Sequence, residues 1–229
     1  MKITSQYPKD WKDLEYKVCK LLNESGYASE SQKKIETVRG PVEVDVFSTS
    51  DDELIKKFIV ECKYWSTPIP KEKIHAFRTV VHDSGCMVGI VISKEGFQSG
   101  AYKAAYCSNV LLKDWSEFLE MIKNKWVINQ LNMMKNIFKP LSIYTDIFSV
   151  PLEKLTKEER IRYDEITLEC IGAYAIINLS DEDIINKESL IVGDFEFTDM
   201  DSFFEYCEKL FLDSIKKYKD LFKEFLIDH

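Results

Sequence analysis

Asp45, Glu61 and Lys63 lie in two short runs rich in Val, Ile, Phe, Tyr and Trp, residues 42–48 and 57–65, separated by a polar turn at 48–53. Runs of this kind read as strands, and along a strand successive side chains alternate between faces. Val42, Val44 and Val46 then share one face and Glu43, Asp45 and Phe47 the other, while Glu61 and Lys63 are same-side neighbours. A hairpin centred on Asp52 and Glu53 sets Asp45 opposite Glu61 and Glu43 opposite Lys63. Directly opposed residues have Cβ atoms ~5 Å apart, and like charges there repel. Two such carboxylates call for a cation. Mg²⁺ takes oxygen ligands and keeps several waters, so two carboxylates and a strand carbonyl form part of its shell. A lysine beside it can orient or help deprotonate a water and offset charge on a phosphate. The same residues also make a solvated hairpin face laced with cross-strand ion pairs, and spacing alone does not choose between the two readings.

The surrounding pattern supplies a scaffold. Trp11, Leu14, Val18, Leu21 and Leu22 recur at helical spacing and Gly26 stops them, which predicts a helix over 9–25. After Pro68 and Pro70, the residues Ile74, Phe77, Val80 and Val81 mark a second helix. Residues 86–93 read as a buried strand, 96–108 as a third helix, 109–112 as a short strand, and 114–138 as a long helix. The order predicts an α/β protein with a mixed sheet and helices on its faces. Residues 139–151, between Pro140 and Pro151, read as a linker, dividing the chain into 1–138 and 152–229.

Composition narrows the function. The chain has 229 residues and a net charge of −8, so no general basic field draws in nucleic acid and any such contact is local. Residues 1–120 carry 17 basic and 18 acidic side chains, residues 121–229 carry 14 and 21. Most of the acidity is therefore C-terminal. No apolar run approaches the ~20 residues of a membrane helix. The first eleven residues lack the apolar stretch of a secretory signal. The six cysteines form no Cys-x-x-Cys pair, which reads as buried thiols in a reducing, cytoplasmic setting. Glycine-rich phosphate loops are missing from the sequence, setting aside ATPase and dinucleotide-binding readings.

Trp11 to Glu15 in the opening helix, Gly26-Tyr27, Gly40 through Asp45, Glu61-Cys62-Lys63, the run 85–93, Gly96-Phe97, Gly100-Ala101, Ala104-Ala105 and 111–115 together resemble the Mrr-type branch of the restriction-endonuclease-like, PD-(D/E)xK superfamily. The resemblance spans about residues 9–125. It implies a restriction-endonuclease-like fold and Mg²⁺-dependent (or Mn²⁺-dependent) cleavage of foreign DNA in bacterial or archaeal, including antiviral, defence. It further implies Asp45 and Glu61 as metal ligands with the Cys62 carbonyl beside them, Lys63 as the catalytic lysine, and Glu15 as an auxiliary acid. Two departures stand out. Gly40-Pro41-Val42-Glu43-Val44 replaces the family's double glycine before the aspartate, and Glu61 stands where many Mrr-type sequences have glutamine. Alternatives from other classes are a catalytically silent nuclease fold that binds DNA or a defence-complex partner, and a nuclease directed at RNA.

Lys71, Lys73 and Arg78 on the second helix could meet a DNA backbone, or be solvated lysines and arginine only. Ser93 and Lys94, before Gly96, could hold a phosphate at a helix start or form an ordinary turn. Trp65 could stack on a base or pack at a strand end, and His75 and His82 lack a third metal ligand and receive no role. The C-terminal part reads as an α+β extension: a helix over 156–169, strand-like runs at 173–179 and 190–197, and a final helix with a core stripe of Phe204, Phe211, Ile215, Tyr218, Phe222 and Phe225. The acids Asp181, Glu182, Asp183, Asp194, Glu196, Asp199 and Asp201 lack a calcium-loop pattern and read as a solvated face. Cutting both DNA strands needs two active sites, which makes a homodimer an expected assembly.

Overall fold

The computed structural model describes residues 1–52 and 54–223; Glu53 and Phe225 lie outside the described residues. The chain divides into two compact units, Gln6–Trp126 and a discontinuous one made of Met1–Ser5 with the residues from 127 onward. The boundary falls inside a helix, whereas the sequence places it after residue 138.

In the first unit α1 (Trp11–Glu24) starts at Asp10, whose side chain accepts from the Asp13 N–H, and buries Leu14, Val18, Leu21 and Leu22. β1 (Ala28–Ile35), β2 (Val42–Thr49) and β3 (Lys57–Lys63) follow; then α2 (Lys71–Asp83), β4 (Val88–Ser93), α3 (Ser99–Ala105), β5 (Val110–Lys113) and α4 (Trp115–Phe138). The sheet runs β1-β2-β3-β4-β5, antiparallel through β3 and parallel from β3 to β5. This is the expected mixed sheet. Residues Ile74, Phe77 and Val81 of α2 pack with Ile59, Val91, Ala101, Ala104 and Val110 in one core. Gly89 on β4 lets α2 approach this closely: a Cβ there would lie 2.7 Å from the Phe77 ring and closer still to Val81. β1 was not foreseen, because ASESQKKI is largely polar and exposed, as an edge strand can be.

In the second unit a 3-10 turn (Lys139–Leu141) leads to α5 (Ser142–Thr145), α6 (Lys157–Ile177), α7 (Asp181–Asn186), β6 (Leu190–Val192), β7 (Phe195–Phe197) and α8 (Met200–Leu221). The expected linker at 139–151 is thus partly helical, with Leu141, Tyr144 and Val150 buried. The expected strand at 173–179 is corrected: α6 runs on to Ile177, and Asn178 caps it. Tyr163, Ile166, Cys170, Ala173 and Ile177 sit at helical spacing and are buried, while apolar residues such as Leu168 and Ile171 on the exposed side mask that period in the sequence. The run 190–197 is two strands of a hairpin, turned at Gly193 with φ +57°. The α8 stripe is core: Phe204, Phe211, Tyr218 and Phe222 are buried, and Tyr218 stacks on Tyr144 while its hydroxyl pairs with Thr167. Several of the C-terminal acids serve helix starts, where the backbone dipole favours negative charge: Asp199 caps α8, and Asp181, Glu182 and Asp183 form the first turn of α7. Met1–Ser5 joins this unit through a parallel bridge from Lys2 to Asp199 and bonds from the Met1 amine to the carbonyls of Ile185 (3.0 Å) and Lys187 (2.6 Å).

Candidate active site

The pairing of β2 with β3 follows the register expected for the hairpin, with Val46 facing Val60 and Phe47 facing Ile59, and the ladder stops there. Continued by one step it would set Asp45 opposite Glu61. Instead the Asp45 carboxylate enters the ladder: its Oδ2 accepts the Cys62 N–H at 2.6 Å, in the place where a strand carbonyl would otherwise serve. The strand end is fixed from the other side, where the Lys94 N–H donates to the Lys63 carbonyl at 3.1 Å.

Three charged side chains converge here. The Lys63 ammonium pairs with Glu61 Oε1 and lies 3.9 Å from Asp45 Oδ2. All three are only a fifth to a quarter exposed. Glu15, buried on α1, is close enough for Asp45, Lys63 and Glu61 to act on its charge. Burial first, then the Asp45 charge, raises the pKa of Glu61 and of Glu15; Lys63 opposes this at both, Lys73 at Glu61, and a hydrogen bond from Gln32 at Glu15. Burial disfavours the Lys63 ammonium, yet Glu61 and Asp45 outweigh it and hold its pKa above the usual lysine value. Burial, followed by Asp45, Glu15 and Glu61, pushes the Cys62 thiol well up, so this sulfur is no nucleophile.

The donor set fits a hard divalent ion. Asp45 and Glu61 offer carboxylate oxygens, and a strand residue projects its N–H and C=O toward the same edge, so the Cys62 carbonyl faces the side on which its N–H meets Asp45. Among the described residues no group of three His, Cys, Asp or Glu side chains is placed to hold a metal. An ion at this point would therefore take the two carboxylates and a main-chain oxygen and complete its shell with water, which Mg²⁺ does readily.

The other expected contacts scatter. Lys73 joins the cluster, lining with Glu61, Lys63 and Trp65 a pocket of about 280 Å³, its ammonium 5.7 Å from the Trp65 ring centre. The Lys71 side chain lies against Gly100 of α3. Arg78 donates to the Ala104 carbonyl at 2.9 Å. The Ser93 hydroxyl donates to the Gly96 carbonyl at 2.9 Å, and α3 starts only at Ser99, so Ser93 to Gly96 form a turn rather than a helix start. Lys94 lies over the Tyr64 ring and pairs with Glu95. Gln32 escaped sequence reasoning, since nothing in a polar edge strand singles it out.

Residues 9–122 match the profile of a restriction endonuclease family, Mrr_cat, and this span contains Glu15, Asp45, Glu61 and Lys63. Over that span the chain belongs to the Mrr-type restriction endonuclease family. The Mrr-type domain is a nuclease domain of restriction-endonuclease-like fold, which makes DNA its substrate class. A solved structure titled "Protein of Unknown Function AF1548" is similar at 16% identity, with 90% of this chain and 97% of that chain covered and a TM-score of 0.41. None of the curated proteins matches the chain. No helix among the described residues is long and apolar enough to cross a membrane.

Proposed function

We propose that the chain is a metal-dependent endodeoxyribonuclease acting in defence against foreign DNA, with Asp45, Glu61 and the Cys62 carbonyl as metal ligands, Lys63 as the catalytic lysine and Glu15 as an auxiliary acid. The observation that carries this reading is the meeting of Asp45, Glu61 and Lys63 where the β2–β3 ladder ends, with the Cys62 main chain turned to the same point.

Mg²⁺ or Mn²⁺ bound there supplies Lewis-acid stabilisation of charge on the scissile phosphate and eases ionisation of a water. The protein's own part is positioning. The Cys62 N–H holds Asp45 in one orientation, and Lys63 and Lys73 favour the ionised form of Glu61. Because its pKa is raised, Lys63 is an ammonium at neutral pH. Beside the ion it orients or helps to deprotonate the attacking water and offsets charge on the phosphate. Lys73 adds a second positive charge on the same side and is the candidate backbone contact.

The test is incubation of the purified protein with plasmid and linear DNA in Mg²⁺ or Mn²⁺ against EDTA, beside an RNA control. Cleavage that needs the metal and is lost in Asp45→Ala and Lys63→Ala is expected. Cutting that survives EDTA, or survives both substitutions, rules the mechanism out.

A further inference from the structure

β1 pairs with β2 in one register on both sides of Gln32: Ser31 faces Val46 and Lys33 faces Val44. The pair between them, Gln32 with Asp45, is skipped. No residue has been inserted, so the break is not a bulge in the counting sense. It comes instead from the Gln32 backbone, which has φ +50°. Among the described residues only Gln32 and Cys107 adopt a positive φ without being glycine, and Gln32 alone does so within a strand. A Cβ crowds the backbone there, and glutamine gains none of the local side-chain bonding that lets Asn or Asp tolerate it.

The side chain shows what this conformation achieves. Gln32 Nε2 donates to Glu15 Oε2 at 3.3 Å, bridging the edge strand and α1. Gln32 and Glu15 both line a cleft of about 750 Å³ between α1 and β1. Glu15 is buried beside the Asp45 and Glu61 charges, which oppose its ionisation, and the Gln32 amide works the other way. Asp45, the strand partner skipped by Gln32, has its carboxylate on the Cys62 N–H. Strained residues persist where the surroundings enforce them, and they cluster at sites whose geometry matters.

We infer that Gln32 is a positioning residue of the nuclease site: its left-handed backbone turns the side-chain amide onto Glu15 and so fixes that carboxylate toward the Asp45–Glu61 pair. The inference rests on the nuclease reading given above. It makes Gln32 a residue whose loss harms the site while relieving the fold, the reverse of what a structural side chain does.

The experiment compares the full chain with Gln32→Gly, Glu15→Gln and the double variant. Three readouts are taken: thermal unfolding without metal, Mn²⁺ affinity by calorimetric titration, and the single-turnover rate of DNA cleavage. Glycine accepts φ +50° freely, so Gln32→Gly should unfold at the same temperature as the parent or higher. Its Mn²⁺ affinity and cleavage rate should nonetheless fall by ~10-fold, the scale on which the loss of an outer hydrogen-bond partner acts on a metal site. The double variant should be no worse than Glu15→Gln alone, because Gln32 acts through Glu15. Wild-type affinity and rate in Gln32→Gly would overturn the inference and leave the nuclease reading standing, and so would a lower unfolding temperature or additive losses in the double variant. A parent protein that neither binds Mn²⁺ nor cuts DNA would overturn both.

Discussion

Removing the Lys63 ammonium should tighten metal binding while abolishing cleavage. Lys63 touches Glu61 and lies 3.9 Å from Asp45, so without an ion it is the charge that lets the two carboxylates coexist. Two unit charges 3.9 Å apart interact by about 4 kcal/mol at an effective dielectric constant of about 20. The side chains are a fifth to a quarter exposed. Such partly buried pairs fall between the ~0.2–1 kcal/mol of exposed pairs and the ~3–5 kcal/mol lost on breaking a buried one, which sets the net contribution at about 1–2 kcal/mol. Lys63→Met keeps the stem and deletes the charge. The metal-free variant should unfold lower by about 4–8 °C, at roughly 4 °C per kcal/mol for a unit of this size. The same 1–2 kcal/mol returns when Mn²⁺ takes over the neutralising role, so affinity should rise by about 5- to 30-fold. The assay is calorimetric titration of Mn²⁺ into parent and variant, with unfolding scans at zero and saturating Mn²⁺. The variant's deficit should close in the saturated scan while plasmid cleavage stays absent. Mn²⁺ binding that is unchanged or weaker in Lys63→Met would refute the view that ammonium and ion compete for the same carboxylates.

Two further outcomes follow from particular contacts. Glu15 and Glu61 have raised pKa values in the fold, so the native state holds their protons more tightly than the unfolded chain does. The sign is that each is no burden below the ordinary glutamate value of about 4.3 and costs stability as pH rises through its raised value. Glu15→Gln should therefore gain stability over the parent across that rise, read as a difference between unfolding midpoints in a pH series without metal; a difference that shrinks with rising pH would contradict it. Gly89→Ala should destabilise the nuclease unit by about 1–3 kcal/mol, the usual cost of overpacking, because the added methyl meets Phe77 and Val81; an unchanged unfolding midpoint would show that α2 does not press on β4 there.

Much of the nuclease unit was legible because its signals are local. The apolar rows of α1 and α2, and the near-continuous apolar β4, each carry one period, and the Asp45 to Glu61 register follows from counting across a turn. What escaped was set by tertiary context. β1 is polar because one of its edges is free, so strand chemistry leaves no pattern in it. α6 has apolar residues on both sides, which erases its helical period and made 173–179 look like a strand. In the site, residue types and spacing located Asp45, Glu61 and Lys63, but not the capture of Asp45 by a main-chain N–H or the turn of Gln32 toward Glu15. Both depend on where ladders break. The sequence likewise did not show that Arg78 gives one of its five guanidinium N–H donors to the Ala104 carbonyl at the end of α3.

The bridge from Lys2 to Asp199 links positions almost two hundred residues apart, which sets an order of events on the ribosome. At about 5–20 residues per second, roughly 10–40 s separate the synthesis of these two residues. All of Gln6–Trp126 is made within that interval. The nuclease unit can thus mature while the first five residues still await their partners, and the unit that closes over Met1–Ser5 is the last to assemble.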